Sequence, residues 1–315
     1  MANIDILIPL YNAESYLGKT IESVLSQTHI NWELLILDDC STDKSFEIAA
    51  AYAEKDTRIR VLRNEHNLGM HQNWNKGISL CKQPYFIKLD ADDVWHPSIL
   101  EKSIKYMEKY PEVGLIFSRY VNIDETDNLI TGSDLELPEF ASDKPFSCVP
   151  LVKQGPAKFL SYPILRQGLS IMRKAALQHI GSYSNLRAAD TEYYFRMGCH
   201  YQILCIDEVL YYYRQHDLSD SKNIENAGLR DHILYETKLS IVNYYYEHGK
   251  LTKGEFKDFA KQLDFQRRVL LFVNYLNKKR HKKAIVALFN NFLSYPKMAF
   301  SFYLKRAYQK IENAR

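Results

Sequence analysis

The first 125 residues alternate between short apolar runs and longer segments with apolar side chains at helical intervals. The apolar runs predict five strands, at residues 4–9, 33–37, 59–63, 85–89 and 113–123. The helical spacing predicts four helices between them, at residues 14–27, 41–55, 70–81 and 97–110. Strands separated by helices of this length form βαβ units, so the pattern predicts an α/β fold with a mostly parallel sheet.

The rest of the chain is irregular at first and becomes wholly helical toward its end. Residues 124–166 contain five prolines and few periodic runs, which indicates a long connection covering a cleft. A strand, two helices and a strand are predicted next, at residues 169–172, 174–179, 191–199 and 203–210. From about residue 227 only helical spacing remains, so we expect an α/β domain at 1–225 and a helical region at 226–315.

An acidic cluster follows the fourth predicted strand, where the chain reads Phe-Ile-Lys-Leu-Asp-Ala-Asp-Asp from residue 86. Asp90, Asp92 and Asp93 repel one another unless a positive charge lies among them. A hard divalent cation, Mn²⁺ or Mg²⁺, is the expected neutraliser, and such an ion usually completes its shell with water and substrate phosphates. The alternative is an acidic turn that caps the next helix.

Acidic residues also end the second predicted strand. Asp38 and Asp39 follow it directly, and ligands of parallel sheets bind beyond the carboxyl ends of the strands. We therefore expect these two residues to share one cleft with Asp90 and Asp92. A carboxylate there can accept a hydrogen bond from a pyrimidine N–H or from ribose hydroxyls, whereas the following Ser, Thr and Asp at 41–43 suit helix capping.

Three further segments each allow two interpretations. Gly69, two residues after Asn67, indicates either a tight turn close to a bound base or phosphate or a plain loop–helix junction. Asp190 begins a predicted helix and serves as a general base or as an N-cap. Arg214 and His216 follow a strand and could clamp phosphates or ligate a metal, although an isolated His is often structural.

Charge is unevenly distributed along the chain. The net charge is only +3, but residues 251–315 hold 15 Lys and Arg against 4 Asp and Glu. A basic tail on an acidic body suggests contact with an anionic surface, either lipid headgroups or nucleic acid, and a solvated basic helix face is the alternative.

Other features of the composition bear on location. The five cysteines are scattered and form no Cys-x-x-Cys pair, which favours a reducing compartment without structural zinc. The N-terminus lacks a basic region before its apolar run, and no stretch of 18 apolar residues occurs. We therefore expect a cytoplasmic protein without a signal peptide or membrane span.

Taken in order, these motifs resemble the family 2 glycosyltransferases of the GT-A fold, over roughly residues 3–220. The opening strand with its Pro-x-Tyr-Asn, the Asp-Asp-x-Ser-x-Asp, the Asn-x-Gly pair and the Asp-x-Asp-Asp element have counterparts at 8–12, 38–43, 67–78 and 90–93. The acid before a helix and the closing Tyr-Arg-x-His correspond to Asp190 and residues 213–216. Each motif is only moderately specific, but their shared order and spacing are highly specific.

The resemblance implies an inverting, metal-dependent transferase. It would move a sugar from a nucleotide-diphosphate sugar, expected to be UDP-linked, to a hydroxyl of a glycan or lipid-linked acceptor in cell-surface polysaccharide synthesis. The family's nucleotide-sugar half would cover about 1–123 and its acceptor half about 124–225.

The resemblance also implies a role for each site residue. The donor would contact Pro9, Tyr11, Glu14, Asp39, Gly69, Asp90 and Arg214. The metal would contact Asp92, with Asp90 and His216 beside it. Asp190 would be the catalytic base, which accepts the proton of the acceptor hydroxyl.

Two departures from the family pattern affect these roles. Trp74 stands where the family often has Arg, which affects donor contacts near the Asn-Gly segment. Ala189 stands where a second acid often precedes the helix, so the assignment of the base depends on Asp190 alone.

The basic tail leads to a separate hypothesis about membranes. It places Lys278, Lys279, Arg280, Lys282 and Lys283 on anionic lipid, with the apolar residues 284–293 in the interface. This would hold the protein peripherally on the inner face of the membrane, with no nucleic-acid partner.

Two other functions compete with glycosyl transfer. A nucleotidyltransferase would need a Gly-rich, basic loop after the first strand, and residues 11–15 contain neither Gly nor a basic residue. A non-catalytic nucleotide-binding scaffold is the second, although the full acidic set disfavours it.

Overall fold

One mixed sheet of eight strands organises the described chain. The computed structural model describes residues 3–130, 143–155, 170–217, 219, 230–277 and 280–299. Parts of the predicted connection at 124–166, namely 131–142 and 156–166, lie outside these ranges, as do Lys278, Lys279 and the predicted boundary at 225/226. The domain division therefore stays a prediction.

The strands are β1 (Ile4–Leu10), β2 (Trp32–Asp38), β3 (Ile59–Arg63), β4 (Tyr85–Lys88), β5 (Val94–Trp95), β6 (Val113–Ile123), β7 (Ile171–Arg173) and β8 (Gln202–Arg214). Their order across the sheet is β3-β2-β1-β4-β7-β6-β8-β5. The four strands from β3 to β4 are parallel, as predicted, and so is the β6–β8 pair. β7 and β5 pair antiparallel with their neighbours, which makes the sheet mixed.

The helices are α1 (Leu17–Leu25), α2 (Ser45–Ala53), α3 (Met70–Leu80), α4 (Ile99–Lys109), α5 (Val149–Lys153), α6 (Lys174–Ile180), α7 (Ala189–His200), α8 (Arg230–Glu247), α9 (Lys253–Asn277) and α10 (His281–Ser294). The strands and helices predicted up to residue 210 are confirmed, with ends that differ by a few residues. The pattern did not predict the two-residue β5 or the five-residue α5. β8 also continues to Arg214, so Arg214 ends a strand instead of following one.

Apolar side chains fill both faces of the sheet because successive residues of a strand point to opposite sides. In β1, Ile4, Ile6 and Ile8 pack with α1, α2 and α4 on one face. Leu7 packs on the other face, where α3, α6 and α7 cover the sheet. Residues of α8 and α9, such as Ile241 and Phe259, belong to that second cluster, so these helices share a core with the sheet.

The five cysteines are free thiols, and four of them are buried. Cys40 is the partly exposed one, and it adopts a left-handed backbone conformation directly after Asp39. No helix in the described ranges is long and apolar enough to cross a bilayer.

Candidate active site

Acidic residues collect at one edge of the sheet because β1, β2 and β4 run parallel and end there. β2 ends at Asp38 and β4 ends at Lys88, both next to β1 in register. The loops that follow these strands carry Asp39, Asp90 and Asp92. Asp39, Asp90 and Asp92 therefore follow strands that end at one edge of the sheet, and the expectation that they share a ligand-binding cleft stays a prediction.

Asp38 and Asp39 are both buried, and different residues hold each of them. The Asp38 side chain is fully buried, and Ser41 donates from both its backbone N–H and its hydroxyl to the carboxylate. The Arg63 Nε lies 3.2 Å from Asp38 Oδ2 and neutralises it. Asp38 therefore fixes the loop after β2, and its side chain has no surface open to a ligand.

Asp39 organises the loop that leads into α3. Its Oδ1 accepts hydrogen bonds from the Asn64 side-chain amide at 2.7 Å and from the Leu68 N–H at 2.8 Å. Its Oδ2 accepts one from the Gly69 N–H at 2.8 Å. Since a carboxylate offers about four acceptor positions, one position on Oδ2 is left for a further donor.

Gly69 begins α3 as its N-cap residue with φ of 80° and ψ of 160°. A side chain at this position would meet no atom within 4 Å, so glycine is favoured by the backbone conformation and not by lack of space. This turn aims the Gly69 N–H at Asp39 and links the loop after β2 to α3.

Residues after β1 form a loop that is joined to the loop after β2. The Glu14 carboxylate accepts the Lys44 N–H at 2.9 Å, and Asn12 Oδ1 accepts the Thr42 N–H at 2.8 Å. Pro9 is half-buried at the end of β1, and the Tyr11 ring is exposed beside it. These contacts hold an exposed aromatic ring at the strand edge that also carries Asp39.

A buried lysine lies beneath the acidic cluster. The Lys88 ammonium forms an ion pair with Asp90 and lies 4.3 Å from the centroid of the Trp74 ring. A cation over an indole face is stabilised by the ring's negative π face. Trp74, the residue that departs from the family pattern, therefore packs against a cation supplied by β4.

Asp92 and His216 lie side by side in the segments that follow β4 and β8. His216 Nε2 is 2.9 Å from Asp92 Oδ2, and Asp92 keeps 30% of its side chain exposed. The His216 ring packs on Tyr16 of the loop before α1, with 4.7 Å between ring centroids. Burial, with Glu125 and Asp92 nearby, raises the pKa of the Tyr16 hydroxyl.

Arg214 supports this pair from behind. Its Nε donates to the Asp92 carbonyl at 2.7 Å, and its Nη1 donates to the Asp124 carbonyl at 2.9 Å. Nη1 also lies 2.6 Å from the Asp127 carboxylate, which Lys19 contacts as well. The Arg214 guanidinium is fully buried, so its predicted contact with the donor stays a prediction.

Two buried nitrogens at this place have no hydrogen-bond partner among the described residues. They are Arg214 Nη2 and His216 Nδ1, both within the group of residues around Asp92. Buried polar groups usually have a partner, so a water molecule or a ligand atom would be needed to complete the hydrogen bonding of these two nitrogens.

Asp93 has a structural role instead of a place in the cleft. Its fully buried carboxylate accepts hydrogen bonds from the Tyr211 hydroxyl and from the Arg214 N–H at 2.8 Å. Burial, together with the negative charges of Asp92 and Asp90, raises the pKa of Asp93 well above its usual range. Asp93 thus fastens the acidic turn to β8.

The acidic turn does not cap the following helix. The N-cap of α4 is Ser98, no side-chain capping hydrogen bond forms there, and the Ser98 hydroxyl contacts His96 Nδ1 instead. The turn is held by Thr20 of α1, whose hydroxyl donates to the Ala91 and Asp93 carbonyls. The capping alternative for Asp90, Asp92 and Asp93 is therefore wrong.

Asp190 lies in the first turn of α7 and accepts the N–H of Thr191 at 2.7 Å. The N-cap itself is Ala188. Burial raises the pKa of Asp190, the Lys88 charge lowers it, and the Asp90 charge raises it again. These electrostatic interactions place Asp190 near the same acidic cluster, although it follows Asp90 by 100 residues.

Several residues of the site escaped the sequence-based prediction. Lys88 was visible as a charged residue in an apolar strand and Tyr16 as an apolar position of the first predicted helix, whereas Asn64 and Asp127 gave no local signal. Among the described residues, no three His, Cys, Asp or Glu side chains converge as a ready-made metal centre. A site of one or two carboxylates completed by water and phosphates agrees with that finding.

Comparison with known proteins identifies the family. The model of glycosyl transferase family 2 matches residues 5–181, which is more than half of the chain. The glycosyltransferase GlyG of Streptococcus pneumoniae is 30% identical over 221 residues, covering 67% of this chain and 70% of GlyG. WfgD of Escherichia coli, a UDP-Glc:α-D-GlcNAc-diphosphoundecaprenol β-1,3-glucosyltransferase, is 34% identical over 129 residues, 41% of this chain and 49% of WfgD.

The fold also has solved counterparts. TarS residues 1–349 of S. aureus, crystallised with UDP-GlcNAc, superimposes with a TM-score of 0.65 at 16% sequence identity. The superposition covers 95% of this chain and 83% of the TarS fragment. Such low identity is informative for the fold alone. Together, the family match and this fold show that the chain belongs to glycosyl transferase family 2 and is a glycosyltransferase of the GT-A fold.

Proposed function

We propose that this chain is an inverting, metal-dependent transferase that moves a sugar from a UDP-sugar to a hydroxyl of a glycan or lipid-linked acceptor. Cell-surface polysaccharide synthesis is the process we infer for it. The name of WfgD, a glucosyltransferase that uses a UDP-sugar and a lipid-linked acceptor, supports this inference. The crystal complex of TarS with UDP-GlcNAc supports the same class of donor.

The observation that carries the proposal is the pair of unpartnered nitrogens beside Asp92. Arg214 Nη2 and His216 Nδ1 are buried donors or acceptors without a partner among the described residues. A diphosphate placed against them would accept hydrogen bonds from the guanidinium and from a protonated imidazole nitrogen. An arginine gives such oxygens a planar, always charged contact.

The nucleotide would bind along the loops after β1 and β2. Asp39 keeps one acceptor position on Oδ2, which suits a single N–H of a pyrimidine base. The exposed Tyr11 ring offers an aromatic surface beside it, and Pro9, Glu14 and Gly69 shape the same loops. The other contacts of Asp39 hold it in place before the donor arrives.

A Mn²⁺ or Mg²⁺ ion fits the group around Asp92. The partly exposed Asp92 carboxylate and His216 Nε2 would hold it. One carboxylate oxygen of Asp90 contacts Lys88, so the other oxygen of Asp90 would contribute. These cations favour carboxylate oxygens and retain water and phosphate ligands. When bound, the metal would stabilise negative charge on the leaving diphosphate.

Asp190 would accept the proton of the acceptor hydroxyl. Partial burial raises the pKa of Asp190, which makes its carboxylate a stronger base than an ordinary aspartate. A single base that activates the attacking hydroxyl, with attack on the face opposite the leaving group, inverts the anomeric centre. Within this proposal, residues 1–225 form the catalytic domain, with donor half 1–123 and acceptor half 124–225, and the enzyme works at the inner face of the membrane.

The test replaces Asp190 by Asn and measures donor binding and transfer separately. We expect Asp190→Asn to bind UDP-sugar as the wild type does and to lose transfer by about 10²–10⁴-fold, the usual contribution of a general base. Asp231→Asn is the matched control, because Asp231 is also an acid in the first turn of a helix. Unchanged turnover in Asp190→Asn would reject the base assignment.

A further inference from the structure

The last described helix, α10, exposes its large apolar side chains. Five of its fourteen residues are large, apolar and exposed: Ile285, Val286, Phe289, Phe292 and Leu293. At 100° per residue these positions fall within a stripe of roughly 120° on one side of the helix. Leu271 of the neighbouring α9 is exposed as well and extends the same kind of surface.

The arrangement reverses the usual pattern of a helix on a globular protein. α10 packs along α9 and buries Ala284 and Asn291, one small and one polar side chain. A surface helix normally turns its large apolar stripe toward the core and its polar residues toward water. The stripe of α10 is therefore oriented for a partner outside the described chain, since contiguous exposed apolar surface marks interaction sites.

The surroundings of this stripe are basic. Residues 281–299 contain no Asp or Glu, and Arg280, Lys282, Lys283 and Lys297 are exposed. A groove of about 390 Å³ between α9 and α10 is lined by Arg268, Lys282, Lys283 and Asn290. Arg268 is paired with Asp264 at 2.8 Å, so the two lysines supply the unneutralised charge of the groove.

We propose that α10 docks on an anionic bilayer, with its apolar stripe among the acyl chains and its basic groove on lipid phosphates. An amphipathic helix with cations beside an apolar face lies in the plane of the interface, about 5–10 Å deep. A second copy of the chain fits less well, because self-association would place the lysines of the two copies against each other. Nucleic acid would leave the apolar stripe in water.

This inference does not rest on the proposed function. It uses residues of α9 and α10 and none of the cleft, and vesicle binding is measured without donor or acceptor. It assigns the membrane contact expected from the sequence to α10. Two lysines of that hypothesis, Lys278 and Lys279, lie outside the described residues.

The experiment is sedimentation of the full chain with vesicles. We expect retention by phosphatidylcholine vesicles that contain about one third phosphatidylglycerol, weaker retention at high salt, and little retention by phosphatidylcholine alone. Each lysine near an anionic surface is worth about fivefold in affinity, so Lys282→Gln with Lys283→Gln should weaken binding roughly thirtyfold. Ile285→Ser should weaken it by about tenfold.

Matched controls are available on other parts of the chain. Ile30→Ser removes an isoleucine with 63% exposure, against 65% for Ile285. Lys105→Gln with Lys109→Gln lowers the net charge by the same amount on α4, which packs against the sheet. Both controls should bind vesicles as the wild type does, and all variants should keep the thermal shift produced by UDP.

Three outcomes would overturn the proposal. The first is equal retention by neutral and anionic vesicles. The second is equal weakening by the α10 variants and their controls. The third is a wild-type chain that is dimeric by analytical ultracentrifugation and becomes monomeric in Ile285→Ser without any vesicle binding, since α10 would then be an interface between copies.

Discussion

Lys88 carries one positive charge between two acidic residues that are far apart in the sequence. It pairs directly with Asp90 and acts electrostatically on Asp190, while Trp74 covers its ammonium group. The sequence predicted both acids from their positions at a strand end and a helix start. It did not predict the lysine between them, because that role depends on how β4 and α7 meet in space.

The charge of Lys88 should set the pH range of transfer. Because Lys88 lowers the pKa of Asp190 and the base must be ionised, Lys88→Met should raise that pKa. The acid limb of the pH–rate profile should then move to higher pH, with activity lost earlier as pH falls. Lys88→Arg keeps the charge and should leave the acid limb of the profile close to its wild-type position. An acid limb that moves equally in both variants would argue against this electrostatic role.

Asp127 places a negative charge on Arg214 Nη1, next to the Nη2 that is expected to bind a phosphate. Burial acts to raise the pKa of Asp127, but hydrogen bonds from Lys19 and Arg214 leave it below its ordinary value. Asp127→Asn should therefore tighten UDP binding severalfold, since both cations lose their internal partner. Calorimetry of UDP binding checks this prediction. The control is Asp207→Asn, which removes the same charge and leaves Arg119 without its ion pair. Weaker binding in Asp127→Asn would show that Asp127 positions Arg214 instead.

At the scale of elements, a glycine lets α3 approach β1 closely. A Cβ built on Gly77 would lie 2.5 Å from the methyl carbons of Leu7, which is fully buried. Glycine in a helix interior is otherwise unfavourable, so its presence here indicates the close contact. This contact fixes the distance between α3 and the edge of the sheet that carries the loops after β1 and β2.

Gly77→Ala should destabilise the protein by about 1–3 kcal/mol, because a side chain at this position overpacks the core. Gly18→Ala is the matched change in α1, where the new Cβ would meet only the Tyr52 hydroxyl at 3.7 Å. It should stabilise the protein by about 0.5–1 kcal/mol. Thermal unfolding should move the two melting temperatures in opposite directions, and a shared direction would contradict the packing argument.

Local periodicity was sufficient to predict most elements but not the shortest ones. β3 and β6 were predicted with their observed ends, because apolar runs bounded by polar residues define buried strands well. β5 has two residues and α5 has five, too few for a period to emerge. The antiparallel place of β7 between β4 and β6 also lies outside what local pattern encodes.

At the scale of the whole molecule, the candidate site is assembled from distant parts of the chain. The family match ends at residue 181, while Asp190, Arg214 and His216 come after it. The motif order predicted that these late residues join the strand-end acids, and the Asp92–His216 contact bears this out for one pair.

Binding of UDP with Mn²⁺ should raise the stability of the folded chain. A ligand at about 100 times its dissociation constant adds roughly 2.7 kcal/mol to the free energy of unfolding. Asp92→Asn should lose the Mn²⁺-dependent part of the thermal shift and keep the part due to UDP alone, since Asp39 and its loop are unchanged. Asp56→Asn, which unpairs Arg58 elsewhere, should behave as the wild type. A full Mn²⁺ response in Asp92→Asn would place the ion elsewhere.

The partly exposed Cys40 is a site for labelling the loop after β2. Burial raises the pKa of Cys81 to about 12 and that of Cys199 to about 11, and it raises those of Cys148 and Cys205 as well. These four thiols are therefore slow to alkylate at neutral pH, because the thiolate is the reactive form. A maleimide fluorophore added to the unmodified protein should accordingly label Cys40 first, next to Asp39, and report nucleotide occupancy without any engineered cysteine.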